Sequence, residues 1–169
     1  MSGKLTYKES GVDTREAAAL VGDIGTHVRR TQQQRKLHGA FGLFAAAFDL
    51  SDYKEPVIVT GCDGVGTKLE IQLEHGEFGA AGKDLVAMSV NDIITTGGDP
   101  LMFLDYIGIA ALDKPMITAL IAGMCDYLES CGCILAGGET AEMPVIVPTD
   151  VIELAGFCIG CCEKPDLID

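Results

Sequence analysis

A mixed α/β domain of the α+β kind, a sheet packed with helices, is the fold class that this 169-residue sequence predicts. Three observations predict it. Apolar, β-branched runs alternate with segments of helical periodicity along the chain. Glycine and proline stand where those segments should stop, as at Gly97-Gly98 with Pro100 beyond. Hydrophobic residues make up 48% and charged residues 22%, so a core can form and disorder is not expected. At this length the chain is one domain, or one and a small part.

Taken in order, residues 1–12 are polar and read as extended. A helix is expected from Asp13: Asp13 or Thr14 can cap it, Glu16 sits in the first turn, and Ala17, Leu20, Val21, Ile24 and Val28 recur at helical spacing. It should fade near residues 34–36. Residues 37–42 read as a loop, with Gly39 and Gly42 flanking Phe41. Residues 56–60 are β-branched and read as a strand, and 67–73 as a short helix. A second long helix is expected over 80–96, then an apolar strand over 101–110 that carries one charge, Asp105. Residues 115–130 form a helix, with Asp113 near its start and Gly132 at its end. A short strand over 133–136 runs into a glycine-led loop, Gly137-Gly138-Glu139-Thr140-Ala141-Glu142-Met143-Pro144, and a final strand spans 152–162. No internal repeat or low-complexity tract is present.

The net charge of −13 argues against nucleic-acid binding, because no basic stripe exists to displace counterions from a phosphate backbone. The basic cluster Arg29, Arg30, Arg35 and Lys36 closes a helical pattern and is expected to complement its dipole. No apolar run reaches the roughly 18 residues of a membrane span, and the polar start carries no secretory signal. Seven cysteines, an odd number, suit a reducing cytoplasm. Cys158 and Cys161 form a C-x-x-C, but on a strand they point to opposite faces and read as buried thiols, not a zinc site. The histidines His27, His38 and His75 have no matched partners in the sequence, so nucleophilic catalysis is not expected.

Chemistry concentrates at Asp63-Gly64-Val65-Gly66-Thr67-Lys68, directly after the strand-like run. Gly64 and Gly66 let backbone N–H groups approach an anion, Asp63 can hold a divalent cation, and Lys68 can neutralise phosphate. The plain alternative is a surface turn. Four carboxylates stand where a core or tight turn prefers something else: Asp63, Asp92 within the second long helix, Asp105 within an apolar strand, and Glu142. Burying an unpaired carboxylate costs several kcal/mol, so such groups are usually paired or metal-bound. Alternatives remain open at two of them. Asp105 can bond neighbouring backbone or pair with Lys68, and Asp92 can face solvent. Asp84 reads as a solvated neighbour of Lys83.

Several strings together resemble one family: YKESGVD at 7–13, DGVGTKL at 63–69, DLVAMSVNDI at 84–93, PLMFLDY at 100–106, GGETAEMP at 137–144 and AGFCIG at 155–160. In order and spacing they are similar to the N-terminal domain of the phosphoribosylformylglycinamidine cyclo-ligases, the aminoimidazole ribonucleotide synthetases. The resemblance covers nearly the whole chain. It implies an ATP-binding domain that closes a β-barrel across a homodimer, with residues 1–169 as one N-terminal domain. A C-terminal domain, absent from this chain, is implied as a further partner that a separate frame could encode. The implied reaction uses ATP to convert formylglycinamidine ribonucleotide into aminoimidazole ribonucleotide, ADP and phosphate in purine biosynthesis, in the cytoplasm.

Carried over residue by residue, the resemblance makes Asp63 and Asp92 the leading ligands for Mg²⁺, with Asp105 and Glu142 as further ones. It assigns ATP or substrate contacts to Gly64, Val65, Gly66, Thr67, Lys68, Asn91, Gly137, Gly138, Glu139 and Thr140. It also implies a glycine-rich closing loop at 38–43. Two other readings stay open. One is a non-catalytic dimerisation or scaffold module that keeps the fold. The other is a different ATPase of the same superfamily, which GGETAEMP disfavours.

Overall fold

The apolar spacing of Leu20, Ile24 and Val28 gives the first helix, α1 (Thr14–Gln32), which buries Leu20 and Val28. In this computed structural model residues 14–33, 35, 37–38 and 45–168 are described. The expected cap at Asp13, the string at 7–13 and most of the expected loop at 38–43 lie outside them. A two-residue pairing follows, β1 (Leu37–His38) antiparallel to β2 (Ala47–Phe48), where the sequence suggested only loop. His38 there sits 3.7 Å from Asp49, a partner the sequence reading did not supply.

The rest is a four-stranded sheet with helices. The elements are β3 (Pro56–Gly64), α2 (Lys68–Glu74), α3 (Phe78–Thr95), β4 (Asp99–Ile109), α4 (Lys114–Cys131), β5 (Ile134–Glu142) and β6 (Ile152–Glu163), with a 3₁₀ turn at Lys164–Asp166. The spatial order is β3-β6-β4-β5. β6 lies between β3 and β4 and is antiparallel to both, whereas β4 and β5 are parallel and joined through α4. The mixed α+β class is therefore as expected.

Capping chemistry explains where the central helices begin and end. Asp113 accepts the Met116 N–H at 3.1 Å with Pro115 inside the first turn, and Gly132 closes α4 at φ +66°. Helices α3 and α4 pack unusually close, because Gly82 and Gly123 leave room for backbone. A Cβ on Gly82 would lie 2.1 Å from the Leu120 carbonyl oxygen, and one on Gly123 2.0 Å from that of Gly79. This contact seats Leu85, Val86, Leu120 and Met124 over Phe103 and Ile107 of the sheet, and all six are fully buried.

The opposite face of the sheet is different. Ile58, Leu104 and Phe157 are exposed there, and register places Cys62, Phe157 and Leu104 in one row across β3, β6 and β4. The C-x-x-C cysteines Cys158 and Cys161 are buried free thiols, as expected. Of the basic cluster, Arg29 and Arg30 stand in the last turn of α1, as the dipole reading expects, and two members also make specific pairs. Arg30 pairs with Asp126 and Glu129 and so ties α1 to α4, and Arg35, beyond the helix, bonds to Asp99 of β4 and to the Gly132 carbonyl after α4.

Candidate functional site

The turn after β3 is built to expose backbone. Asp63 ends the strand half-buried, and its carboxylate accepts the Gly64 N–H at 2.8 Å. A Cβ on Gly64 would lie 2.9 Å from the Leu154 carbonyl, so only glycine fits there. Val65 is a buried anchor at 4% exposure, and Gly66 takes φ +68°. Thr67 opens α2 without a side-chain capping bond, which leaves its hydroxyl available. Around this turn lies a cleft of about 810 Å³, walled by α2 and residues 150–154 and edged by Glu70, Glu74, Asp150 and Glu153.

Lys68 does not turn toward Asp105. Its ammonium pairs with Asp84 of α3 at 2.9 Å, and the Gln72 amide donates to the same carboxylate. Asp84 is therefore a partner of Lys68 that docks α2 onto α3, and the expected Lys83-side solvated role is corrected. Nothing in the residue types of Asp84 and Gln72 announced this, because the pairing joins two helices.

Asp92 is exposed near the end of α3, as one of the open alternatives had it, yet it is not isolated. A Cβ on Gly61 would lie 3.3 Å from its Cβ and 3.8 Å from its Oδ2. Along β3 residues 57, 59, 61 and 63 share the less exposed face. Asp63 and Asp92 thus stand on the same side of β3, one strand repeat of about 7 Å apart along it. Asn91, also exposed, precedes Asp92 in α3.

Asp105 and Glu142 belong to a second region. The glycine-led segment at 137–144 is strand rather than loop as far as Glu142, because β5 continues parallel to β4 past an irregularity at Phe103/Leu104. That register sets Asp105 opposite Gly138, where a Cβ would fall 2.1 Å from the Asp105 Oδ1. The side chain fills space that glycine leaves. Asp105 is 7% exposed and borders a cavity of about 310 Å³ between α1, β5 and α4. Gly137, Gly138, Glu139, Thr140 and Glu142 border it too. Burial, reinforced by the charge of Glu139, pushes the Asp105 carboxyl up to about 7. Glu142 accepts the Leu112 N–H at 2.9 Å. Thr31, unnoticed in sequence, anchors the cavity wall: its buried hydroxyl donates to Val28 and accepts the Leu135 N–H.

The structure therefore divides the four candidate metal ligands into two pairs, Asp63 with Asp92 and Asp105 with Glu142. Among the described residues no group of three or more His, Cys, Asp or Glu is arranged to hold a metal ion. Two hard carboxylates on one side of β3, with Asp63 bordering the open cleft, do fit Mg²⁺, which typically takes one or two carboxylates and fills its shell with water and phosphate. A neutral-leaning carboxyl under an apolar helix fits it poorly.

Comparison with known proteins gives a consistent picture. The family described as "AIR synthase related protein, N-terminal domain" matches residues 44–162. Over 164 residues the chain is 48% identical to a phosphoribosylformylglycinamidine cyclo-ligase of Oceanobacillus iheyensis, covering 96% of this chain and 48% of that protein. The chain thus spans about half the length of the curated relative it matches. Among solved structures it resembles a thiamine-monophosphate kinase from Stenotrophomonas maltophilia, with TM-score 0.67 and 16% identity over 86% of this chain and 43% of that one. It resembles the hydrogenase maturation protein HypE in complex with ATP, with TM-score 0.61 and 17% identity over 95% and 44%. PurL of T. maritima complexed with ADP gives TM-score 0.55 and 16% identity over 96% and 27%. At such identities the likeness is one of fold.

Proposed function

This chain belongs to the AIR synthase related protein, N-terminal domain family, and from that membership we propose that it is the ATP-binding half of a phosphoribosylformylglycinamidine cyclo-ligase. The observation that carries the reading is the 48% identity along nearly the whole chain, which includes both candidate regions. The reaction joins two steps. The formamide oxygen of formylglycinamidine ribonucleotide attacks the γ-phosphorus of ATP and ADP leaves. The amidine nitrogen then attacks the resulting iminophosphate carbon, phosphate leaves, and loss of a proton gives the imidazole ring of aminoimidazole ribonucleotide.

Such chemistry depends on alignment and charge neutralisation more than on covalent help. The backbone N–H groups of residues 64–67 and the Thr67 hydroxyl are suited to orient phosphate oxygens, and glycine at 64 and 66 keeps that approach open. Asp63 and Asp92 would hold Mg²⁺, which when bound offsets the charge between the phosphates and this acidic surface. Lys68, committed to Asp84, fixes α2 and so fixes the turn. Asn91 would contribute a neutral hydrogen-bonding group beside the two carboxylates.

On this reading the chain acts as a homodimer in the cytoplasm. Support for the dimer comes from the open sheet face that carries Ile58, Leu104 and Phe157. Among the described residues no helix is long and apolar enough to cross a membrane. Calorimetry of Mg-ATP binding tests the reading. Asp63→Asn and Asp92→Asn are expected to weaken it by at least the roughly 10–100-fold that loss of even an outer metal partner costs. Equal affinity in the wild type and both variants would remove the metal role.

A further inference from the structure

We propose that the cavity beneath α1 receives a flat organic cation, the amidine end of the substrate, on the carboxylate of Asp105. The identity of the cation rests on the cyclo-ligase reading, whereas the charge and shape of the site rest on this structure alone.

Three observations carry it. Asp105 is 93% removed from solvent, borders the cavity, and among the described residues bonds to no residue other than its own backbone. A buried carboxylate without a partner is costly, and a ligand that donates to both oxygens would remove that cost. Second, the cavity is acidic. Glu139 and Glu142 border it with Asp105, while no lysine or arginine does among the described residues, and His38 at its rim is set toward Asp49. A phosphate without a metal ion would meet repulsion there, as it would at the cleft beside Asp63. Third, one wall is apolar, with Leu20, Ile24 and Val28 of α1 lining the same cavity as Asp105.

An amidinium matches all three. It is planar, its two nitrogens pair with the two oxygens of a carboxylate in parallel, and its flat face tolerates apolar contact. A strongly hydrated metal ion matches less well, because Leu20, Ile24 and Val28 border the cavity in place of the oxygen donors its shell requires. The two regions then divide the substrates, with phosphates at the β3–α2 turn and the ring-forming nitrogens under α1. Burial raises the Asp105 carboxyl to about 7, and an arriving cation favours its ionised form.

The test uses the full 169-residue chain with benzamidine and its neutral isostere benzamide, compared by calorimetry at pH 8 without nucleotide. Benzamidine is expected to bind about tenfold or more tightly than benzamide, a gap of about 1.4 kcal/mol. Asp105→Asn should bring the two within about twofold, and excess MgCl₂ should not displace benzamidine. Equal binding to the wild type, a preference that survives in cooperatively folded Asp105→Asn, or displacement by Mg²⁺ would each overturn the proposal. Should the variant not fold, transferred NOEs decide. Cross-peaks from the benzamidine ring to the methyls of Leu20, Ile24 and Val28 are expected, and their absence overturns the site. No nucleotide is present, so this can fail while the Asp63 and Asp92 results stand, and the reverse.

Discussion

Asp63 and Asp105 are aspartates of one four-stranded sheet, and each lies next to or opposite a glycine that no other residue could replace without a clash. Asp63 ends an edge strand half-buried, bonded to the Gly64 N–H and bordering a wide cleft. Asp105 sits within β4, between β5 and β6, and is buried without a bond from another described residue. The first is open to the cleft and can share a cation with water and phosphate. The second is pushed toward its neutral form and responds to whatever enters the cavity. Similar residue types thus serve opposite chemistries because solvent reaches one and not the other.

The largest effect expected from breaking this contrast is on stability. The folded-state value of Asp105, about 7, stands above its unfolded value of 3.8, so between these pH values the folded chain binds more protons than the unfolded one. Stability therefore falls as pH rises through that window and levels off above it. Asp105→Asn removes the ionisation. Urea unfolding should show it more stable than wild type by up to roughly 4 kcal/mol at pH 8, with the gap closing below pH 4. A gap independent of pH would mean that the carboxyl is not penalised by burial.

Gly138→Ala comes next, because its Cβ collides with the Asp105 carboxyl. A cost of about 1–3 kcal/mol is expected from overpacking. Combination with Asp105→Ala should recover part of it, and strict additivity in a double-mutant cycle would show that the two do not share that space.

At the turn the expected effects are smaller in stability and larger in ligand binding. Gly66→Ala forces a side chain into φ +68°, for about 1–2 kcal/mol, and should weaken Mg-ATP while leaving benzamidine unchanged. Smallest is Asp84→Asn. The Lys68–Asp84 pair is half-exposed, so its loss should cost under about 1 kcal/mol and less still in high salt. A large loss of Mg-ATP affinity in that variant would show that the orientation of α2 matters more than its stability.

Much of the fold was legible. The helical spacing of Leu20, Ile24 and Val28, the Asp113 and Gly132 caps, and the Gly97-Gly98 stop mark local events that local sequence determines. The segment at 137–142 was misjudged because two glycines and two glutamates read as loop. Parallel pairing with β4 makes it strand, and Gly138 is small because Asp105 needs the space, which is tertiary information. The turn at 63–68 was legible as a turn that exposes backbone, since its glycines and carboxylate have local reasons. The partition of the carboxylates was not, because it depends on which strand faces α3 and which faces α1. For the same reason the Lys68–Asp84 pair and the role of Thr31 escaped notice.

The central claim is that two acidic regions of one sheet bind ligands of opposite charge. The most direct measurement is a crossed calorimetric titration of Mg-ATP and of benzamidine into wild type, Asp63→Asn and Asp105→Asn. Asp63→Asn is predicted to weaken Mg-ATP alone and Asp105→Asn to weaken benzamidine alone, with both ligands bound together on the wild type. Competition between the ligands, or loss of both in either folded variant, would contradict the account.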